Sequence, residues 1–433
     1  MTKPKQTISK TVYHTSKPPI FTPVKNLQRL LELYTTDSRV QEIAEALNSD
    51  TPTRLQLVGM VGAQEAFVLT GIFLSKDSSH VFVAADKEEA AYLQNSLETL
   101  FDKKRIHFFP DSFKRPMYFD ALNGTNALQR TETINKLSRS KAKGEILITY
   151  PEALFEKVVA PEVLNKEKID IATNAEIDVD FITEILVTYG FSRQDFVYEP
   201  GQFSIRGGIV DIFSYGNEYP YRVDLFDNEV ESIRTFDPIT QLSVRNIAQV
   251  TIIPNINTQF DQDQKVSLFR VLPENTVLWL RDYQVVLDKL QTCFEKAEEF
   301  AETSLMLLEE EDLKALFKDR AFIRPNQVIE EIQSFPIISL AKTKHPFPID
   351  KKVVFNASPQ PSFNRNFPLL IENLEQNEKA KIENYLFTAN SKQVERFYSI
   401  FKDLEAKVQF HPCLLYTSPS PRDQRGSRMP SSA

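Results

Sequence analysis

The sequence predicts an α/β protein in which a parallel-sheet domain is interrupted by an inserted α+β domain and followed by the start of a further α/β unit. Three observations indicate this class. Short apolar strands alternate with helices before residue 155, alternating strands and turns dominate residues 156–251, and strand–helix alternation returns after residue 252.

Composition limits the kind of protein. A chain of 433 residues with 42% hydrophobic and 25% charged residues is typical of a globular protein of two to four domains. The net charge of −8 gives no overall case for nucleic-acid binding. Two cysteines and five histidines form no disulfide or metal-binding pattern, and no apolar run reaches membrane-spanning length. We therefore expect a cytoplasmic protein with no metal and no membrane partner.

Residues 1–20 are expected to be a disordered leader, and residues 21–155 the first half of the parallel-sheet domain. The segment begins with helical spacing over residues 24–48. A strand at Leu55–Val58 then leads into a glycine loop and an apolar helix at Phe67–Leu74. Later strand–helix repeats in HVFVAAD, RIHFFP and EILITYPEALFEKV complete this half.

The glycine loop GMVGAQEA has the strand–loop–helix context of a phosphate-binding loop. A working loop needs GxxxxGK[ST], in which glycines let the backbone close on phosphates, a lysine neutralises them and a hydroxyl reaches Mg²⁺. Gly59 and Gly62 are present, but Gln64 replaces the second motif glycine, Glu65 the lysine and Ala66 the hydroxyl residue. A carboxylate at the lysine position repels a triphosphate, so we expect a degenerate loop that is retained for packing.

Residues 156–251 are expected to form the inserted α+β domain. A helix at Phe181–Tyr189 precedes the stretch FSIRGGIVDIF, whose apolar phase slips by one residue at Gly207-Gly208. This slip predicts a β-bulge beside Arg206. The following YRVDLFDNEVESIRTFDP predicts a hairpin with its turn at Asp227-Asn228.

The inserted domain is acidic. From Glu156 to Thr251 there are 8 Lys+Arg against 17 Asp+Glu, a balance of −9, whereas the rest of the chain is near neutral. This makes the inserted domain the least suitable place for DNA and favours a protein partner.

The remaining segments continue the alternation. Residues 252–345, with the strands IIPNI and TVLWLRD and a long helix from Gln284 to about Asp319, are expected to be the second half of the parallel-sheet domain. Residues 350–412 are expected to begin another α/β domain that is cut short. Residues 413–433, rich in Ser, Pro and Arg, resemble translated sequencing-adapter sequence; a genuine disordered tail is the alternative.

The motif EPGxFxxRGGxxDIF, followed by YPYRxDLFDxEVESIRTFDPxTQxS, resembles the UvrB-like module of the bacterial transcription-repair coupling factors (Mfd). The resemblance covers about residues 20–412 and is strongest at 190–245. It implies a degenerate P-loop, helicase-like α/β domain with an inserted UvrB-type interaction domain. The degenerate loop fits a coupling factor, whose UvrB-like region lacks the ATPase, and argues against UvrB itself.

The resemblance implies a partner and its contact residues. In the family this module binds UvrA, and Arg206 and Arg193 match arginines that UvrB uses for that contact, with Phe203 on the same strand. The alternative is that both arginines are solvated strand residues that neutralise nearby Asp195 and Glu199.

The resemblance also limits the chemistry that we expect. ATP and Mg²⁺ belong to the family's motor domains, and RNA polymerase and double-stranded DNA are contacted through other domains that this stretch lacks. We therefore expect no catalysis and no cofactor here, but recruitment of UvrA in transcription-coupled nucleotide excision repair. The alternatives are a fragment of a UvrB-like or other nucleotide-dependent DNA helicase, or an α/β scaffold with no partner.

Overall fold

The computed structural model describes residues 23–414 apart from residues 254–263, most of 305–321, residues 342–346 and shorter gaps at 50, 77, 116, 120, 140–143, 161, 164–165, 167, 216–218 and 389. The expected leader therefore lies outside the described residues. The same holds for most of the expected tail and for the end of the helix predicted up to Asp319.

The helices of the described residues are α1 (Pro23–Thr36), α2 (Ser38–Ala46), α3 (Gln64–Ser75), α4 (Lys87–Leu100), α5 (Gly124–Arg139), α6 (Pro151–Leu154), α7 (Val179–Thr188), α8 (Tyr283–Thr303), α9 (Pro325–Ile332), α10 (Phe367–Lys379) and α11 (Ser391–Asp403).

The strands are β1 (Arg54–Val58), β2 (His80–Val83), β3 (Ile106–Phe108), β4 (Ile146–Thr149), β5 (Val158–Val159), β6 (Ile169–Ala172), β7 (Ser192–Arg193), β8 (Gln202–Arg206), β9 (Ile209–Phe213), β10 (Tyr221–Phe226), β11 (Glu229–Phe236), β12 (Ser243–Ile247), β13 (Gln249–Ile252), β14 (Lys265–Val266), β15 (Val277–Leu280), β16 (Ile337–Ser339), β17 (Lys351–Val354), β18 (Tyr385–Thr388) and β19 (His411–Leu414).

A parallel sheet forms the core of the first unit, residues 31–360. Among the described residues it has seven strands in the order β17-β1-β16-β15-β2-β4-β3. Strands β15 and β16, which follow the inserted domain in the chain, lie between β1 and β2, which precede it. Residues before and after the insertion therefore share one sheet, and the predicted α/β class is confirmed.

The centre of this sheet is apolar on both faces, as expected for parallel strands covered by helices. Trp279 in β15 is fully buried, as the apolar strand TVLWLRD predicts, and its indole donates a hydrogen bond of 2.9 Å to Nδ1 of His80. Burial lowers the pKa of His80 to about 3, so the imidazole is neutral and can accept this bond.

The sheet also contains two strands that the sequence analysis does not place in it. Strand β16 is not predicted, and β17, assigned above to the following domain, pairs in parallel with β1. The apolar start of IIPNI lies elsewhere, because β13 pairs antiparallel with β6. Strands β16 and β17 are short, and their places in the sheet depend on pairing with β1, which is distant in the sequence. A local sequence pattern does not show such pairing.

The inserted domain contains a six-stranded sheet in the order β12-β11-β10-β9-β8-β7. Helix α7 covers one face of it, where Ile182 and Leu186 pack against Phe203, Ile212 and Val223. The helix begins at Asp178, whose side chain accepts hydrogen bonds from the amides of residues 180 and 181. The predicted helix and the turn between β10 and β11 are present.

The bulge predicted at Gly207-Gly208 is wrong. These glycines form a two-residue turn between β8 and β9, with Arg206 opposite Ile209 and Gly207 at φ +61°. A two-residue turn and a bulge shift the apolar phase in the same way, so the sequence pattern does not separate them. The sheet does contain a shift in register, but it lies in the next hairpin, between β10 and β11. There the pairing slips in β11 opposite Asp224 and Leu225 of β10.

The second unit comprises residues 1–30 and 361–433. Its described part contains α10 and α11, which share an apolar cluster that includes Ile371, Leu374 and Phe401, and the parallel pair β18–β19. Strand β19 lies at His411–Leu414, so Cys413 and Leu414 belong to this pair and not to the tail.

Candidate partner-binding site

The six-stranded sheet has one apolar face and one polar face. Phe203 and Ile205 in β8 point toward α7, whereas Ser204 and Arg206 point the other way. The same alternation places Asp211 in β9 beside Ser204 on the polar face. We call this side of the sheet, from β8 to β12, the polar face.

Arg206 is held by three contacts at the β8 end of the polar face. Its guanidinium donates 2.8 Å to the carbonyl oxygen of Asp195 and 2.5 Å to Oδ2 of Asp211. It also lies 4.7 Å from the ring centroid of Phe196. The alternative interpretation, a solvated arginine that pairs with the side chains of Asp195 and Glu199, does not fit these partners.

Asp211 links Arg206 to a second arginine. Its carboxylate is fully buried and accepts Nε of Arg222 at 2.7 Å and an Nη of Arg222 at 2.8 Å. These bonds to Asp211 raise the pKa of Arg222, although partial burial opposes this. Because one carboxylate joins two guanidinium groups, the orientation of Arg206 is fixed before any partner arrives.

A groove of about 630 Å³ opens beside Arg206. It is lined by residues 193–196 and 204–206, and its rim carries Phe196, which is 48% exposed. The loop that carries Phe196 is held by Gln202, whose side chain accepts the amide hydrogens of Tyr198 and Glu199 at 2.9 and 3.1 Å. The groove can therefore present donors to an acidic group without first ordering a loop.

Arg193 lies at the edge of the same groove. It sits in β7, which pairs in parallel with β8 so that Arg193 is opposite Phe203. Its side chain is exposed and makes no hydrogen bond or ion pair with the residues that the structure describes. Arg193 therefore lines the edge of the groove, but its register opposite Phe203 places its side chain on the α7 side of the sheet, away from the guanidinium of Arg206.

Phe203 does not fit the predicted contact role. It is fully buried in the cluster beneath α7, on the opposite face from Arg206. The sequence analysis grouped it with Arg206 because both lie on one strand, but residues three apart on a strand point to opposite faces. Phe203 supports the sheet, and it has no surface to offer a partner.

Sequence reasoning missed the residues that position Arg206. The sequence patterns assign no role in the site to Asp211 or Arg222, although both are central to the polar face. A usable signal existed: Arg222 and Asp224 occupy alternate positions of β10, out of phase with apolar Tyr221 and Val223. Charged residues in that phase belong to one face of a strand.

The predicted degenerate loop, Gly59–Ala66, packs against the backbone that follows β17. A side chain at Gly59 would place its Cβ 2.0 Å from the carbonyl oxygen of Phe355, which follows β17. The amide of Val61 donates to the side chain of Gln64 at 3.4 Å, so Gln64 covers part of the loop. Gly59 therefore packs closely against the backbone at Phe355.

Glu65, at the predicted lysine position, binds an arginine. Arg281, which follows β15, donates to both carboxylate oxygens of Glu65 at 2.5 and 2.6 Å and lies 2.5 Å from Oε1 of Glu89. Burial lowers the pKa of Arg281, but its bonds with the two carboxylates outweigh this and raise it overall. We call Glu65, Arg281 and Glu89 the ion triad. Gly62 (φ +58°) and buried Ala66 lie in the same loop as Glu65. The groups that contact this loop are therefore the protein's own side chains and backbone.

No group of three or more His, Cys, Asp and Glu side chains within the described residues is arranged to hold a metal ion. No helix in the described part of the chain is both long and apolar enough to cross a membrane.

Residues 169–257 match the family model of the UvrB interaction domain, so the chain carries a domain of this class. It is also similar to the transcription-repair-coupling factor of Bacillus subtilis, with 28% identity over 200 residues, covering 46% of this chain and 17% of that protein. For the factor of a Staphylococcus epidermidis strain the identity is 29% over 217 residues, covering 50% of this chain and 18% of that protein.

A second class of relative is the UvrABC system protein B of Ureaplasma parvum, 26% identical over 215 residues, which cover 46% of this chain and 32% of that protein. The chain thus spans less than a fifth of the length of the coupling factors that it matches. The resemblance to the UvrB-like, N-terminal region of a transcription-repair coupling factor is confirmed.

Proposed function

We propose that the groove beside Arg206 is the docking site for UvrA, and that the chain acts as a UvrB mimic that recruits UvrA to stalled RNA polymerase. The observation that carries this proposal is the tethered guanidinium of Arg206 in an open groove within a UvrB interaction domain. A preorganised arginine binds a partner carboxylate with little loss of side-chain entropy.

The charge distribution of the domain supports a protein partner with acidic groups. Between Glu156 and Thr251 the balance is −9, yet Arg206, Arg222 and Arg234 all lie on the polar face. Asp211 and Asp224 on the same face pair with these arginines, so the face offers DNA no large positive field, whereas the exposed part of Arg206 can bind a partner carboxylate.

The names of the relatives support the cellular role. Coupling factors and UvrABC system protein B are both proteins of DNA repair by name, and both match this chain across about half of its length. We infer a role in transcription-coupled nucleotide excision repair. Contacts with RNA polymerase and double-stranded DNA would be made by other parts of such a factor.

The partner proposal predicts that Arg206→Ala weakens UvrA binding by about 2 kcal/mol or more, which is about thirtyfold. The fold should lose about 1 kcal/mol, because Asp211 keeps its two bonds from Arg222. The measurement is a calorimetric titration of the chain with UvrA from the same source. Arg193→Ala should act in the same direction with a smaller loss.

A matched control is Arg245→Ala. Arg245 is exposed in β12, where it lies opposite Thr235, and this pair faces the α7 side of the sheet. Its removal deletes one positive charge from the same domain but not from the groove. Equal affinity of the wild type, Arg206→Ala and Arg245→Ala for UvrA would reject the groove as the docking site.

We also infer that the chain is not an enzyme and binds no nucleotide. The rival, a nucleotide-dependent helicase fragment, is suggested by the similarity to UvrABC system protein B. Calorimetry with Mg-ATP distinguishes the two, and we expect no heat of binding at millimolar nucleotide. Micromolar affinity would support the rival.

A further inference from the structure

We propose that the cavity between α8 and α9 binds a small aromatic monocarboxylate. The cavity has a volume of about 440 Å³, which lies in the range of pockets that enclose small organic ligands. All of the described residues that line it lie outside residues 169–257, which match the UvrB interaction domain. The cavity is therefore a second site, distinct from the groove beside Arg206.

One wall of the cavity is a face of α8. The residues that form it are spaced by three or four positions along the helix, and they are Phe294, Ala297, Glu298 and Ala301. The methyl side chains of Ala297 and Ala301 leave room in front of the helix that a larger residue would fill. A flat ligand can therefore approach the helix closely at these two positions.

The opposite wall is aromatic. Phe322 and Phe317 line it, with 5.1 Å between their ring centroids. Phe322 also stacks on fully buried Phe155, at 4.5 Å between centroids and 8° between ring planes. The amide of Ile323 donates a hydrogen bond of 2.8 Å to the carbonyl oxygen of Phe155. The ring of Phe322 is thus held by stacking and by its neighbouring backbone before any ligand arrives.

The cavity carries more positive than negative charge. Among the described residues that line it, Lys157 and Arg324 are cationic and Glu298 is the carboxylate, a balance of +1. Arg324 is exposed and forms no ion pair within the described part of the chain; its guanidinium carbon lies 5.8 Å from the ring centroid of Phe294. A second cavity of about 230 Å³ shares Phe294, Glu298 and Arg324 with the first, so Arg324 lies where the two spaces meet.

The chemistry of these walls defines the class of ligand. A ring system can stack in an offset manner on Phe322 while its other face meets the alanines of α8. The guanidinium of Arg324 suits a carboxylate, to which it can donate two parallel hydrogen bonds. A single carboxylate matches the balance of +1, whereas a nucleoside triphosphate carries several negative charges and would meet Glu298. The ligand class is therefore a monocarboxylate with one or two fused aromatic rings.

The test is calorimetric titration of the full chain with 2-naphthoate and, separately, with 2-naphthalenemethanol, a neutral alcohol that has the same ring system. We expect 2-naphthoate to bind with one equivalent per chain, and the alcohol to bind about tenfold more weakly because it lacks the charge that Arg324 recognises. Arg324→Gln should bind 2-naphthoate about tenfold more weakly than the wild type and should leave the affinity for the alcohol unchanged.

Two further variants separate the cavity from a general effect of charge. Ala301→Phe places a ring in the space before α8 and should abolish binding of both ligands. Lys296→Gln removes a cation from the same helix, but Lys296 lies over the ring of Tyr118 at 5.8 Å and does not line the cavity, so it should bind 2-naphthoate as the wild type does. A thermal transition within a few degrees of the wild type shows that Ala301→Phe is folded, and the comparison of the two ligands with Arg324→Gln decides the proposal without it.

Three results would overturn the proposal: no heat of binding with millimolar 2-naphthoate, equal affinity of the wild type for the two ligands, or equal losses in Lys296→Gln and Arg324→Gln. Unchanged affinity in a folded Ala301→Phe would place the ligand outside the cavity and would also overturn it. These titrations contain no UvrA, so a failure of the docking proposal would leave the cavity proposal standing.

Discussion

Asp211→Asn is expected to lower the stability of the inserted domain by about 3 kcal/mol, because breaking a buried pair by removing one partner leaves charges without compensation. Asp211 is fully buried and accepts three hydrogen bonds from Arg206 and Arg222. Arg222 is itself only 14% exposed and lies 4.3 Å from the ring centroid of Phe236. The amide oxygen can replace only one of the two carboxylate oxygens, and the neutral amide cannot neutralise two guanidinium groups.

Hydrogen exchange of the amides in β8, β9 and β10 is the suitable measurement, since it reports opening of this sheet separately from the rest of the chain. The matched control is Glu231→Gln, an acid-to-amide change at an exposed position of β11. We expect the control to fall within about 0.5 kcal/mol of the wild type. Equal protection in both variants would show that Asp211 contributes little to stability.

Asp211→Asn should also remove the carboxylate that orients Arg206. With Asp211 neutral, Arg206 keeps the carbonyl of Asp195 and the ring of Phe196, but its strongest bond is lost. Asp211→Asn should therefore weaken partner binding even at temperatures where the domain is folded. The buried carboxylate thus links the stability of the sheet to the geometry of the proposed site.

The elements that sequence patterns could predict are those whose signal is local. Strand β2 is four buried apolar residues between polar turns, and α4 is an amphipathic helix capped by Asp86, so each carries its own evidence. Strand β17 does not, because Lys351 and Lys352 are exposed and only Val353 is buried. Its place beside β1 depends on pairing with a strand almost 300 residues earlier, which no local window contains.

The candidate site also has a part that the sequence predicts and a part that it does not. The resemblance pointed to Arg206, and the acidic composition pointed to a protein partner. The contacts that make Arg206 useful come from β9 and β10, whose register with β8 depends on the turn at Gly207-Gly208. Since that turn was interpreted as a bulge, the alignment of Arg206, Asp211 and Arg222 could not be derived.

In the degenerate glycine loop, by contrast, the prediction rests on local residues alone. The identities of Gln64, Glu65 and Ala66 were enough to predict a loop unsuited to nucleotide. They could not show which group of the protein Glu65 binds, because Arg281, which follows β15, lies more than 200 residues later in the chain. In the structure, the carboxylate of Glu65 forms its ion pair with Arg281 of the protein itself.

Glu65→Lys is therefore expected to destabilise the α/β unit by about 3 kcal/mol and to leave it unable to bind nucleotide. The side chains of Glu65 and Arg281 are only 18% and 24% exposed. A lysine there would face a guanidinium at short range, with Glu89 as the remaining carboxylate, so an attraction becomes a repulsion. The lysine restores one motif residue, but the carbonyl of Phe355 still packs against Gly59.

Thermal unfolding of the variant, followed by calorimetry with Mg-ATP, tests both parts. Glu45→Lys is the control, because Glu45 is exposed on α2 and makes no ion pair within the described part of the chain. This control should change stability by less than about 0.5 kcal/mol.

Glu65→Gln and Arg281→Met should each destabilise the protein. The double variant should lose less stability than the sum of the two single losses, because the two residues act on each other. Additive losses would show that the ion triad is not a coupled unit. A gain of ATP affinity in Glu65→Lys would show that charge alone, rather than packing against Gly59, closes the loop.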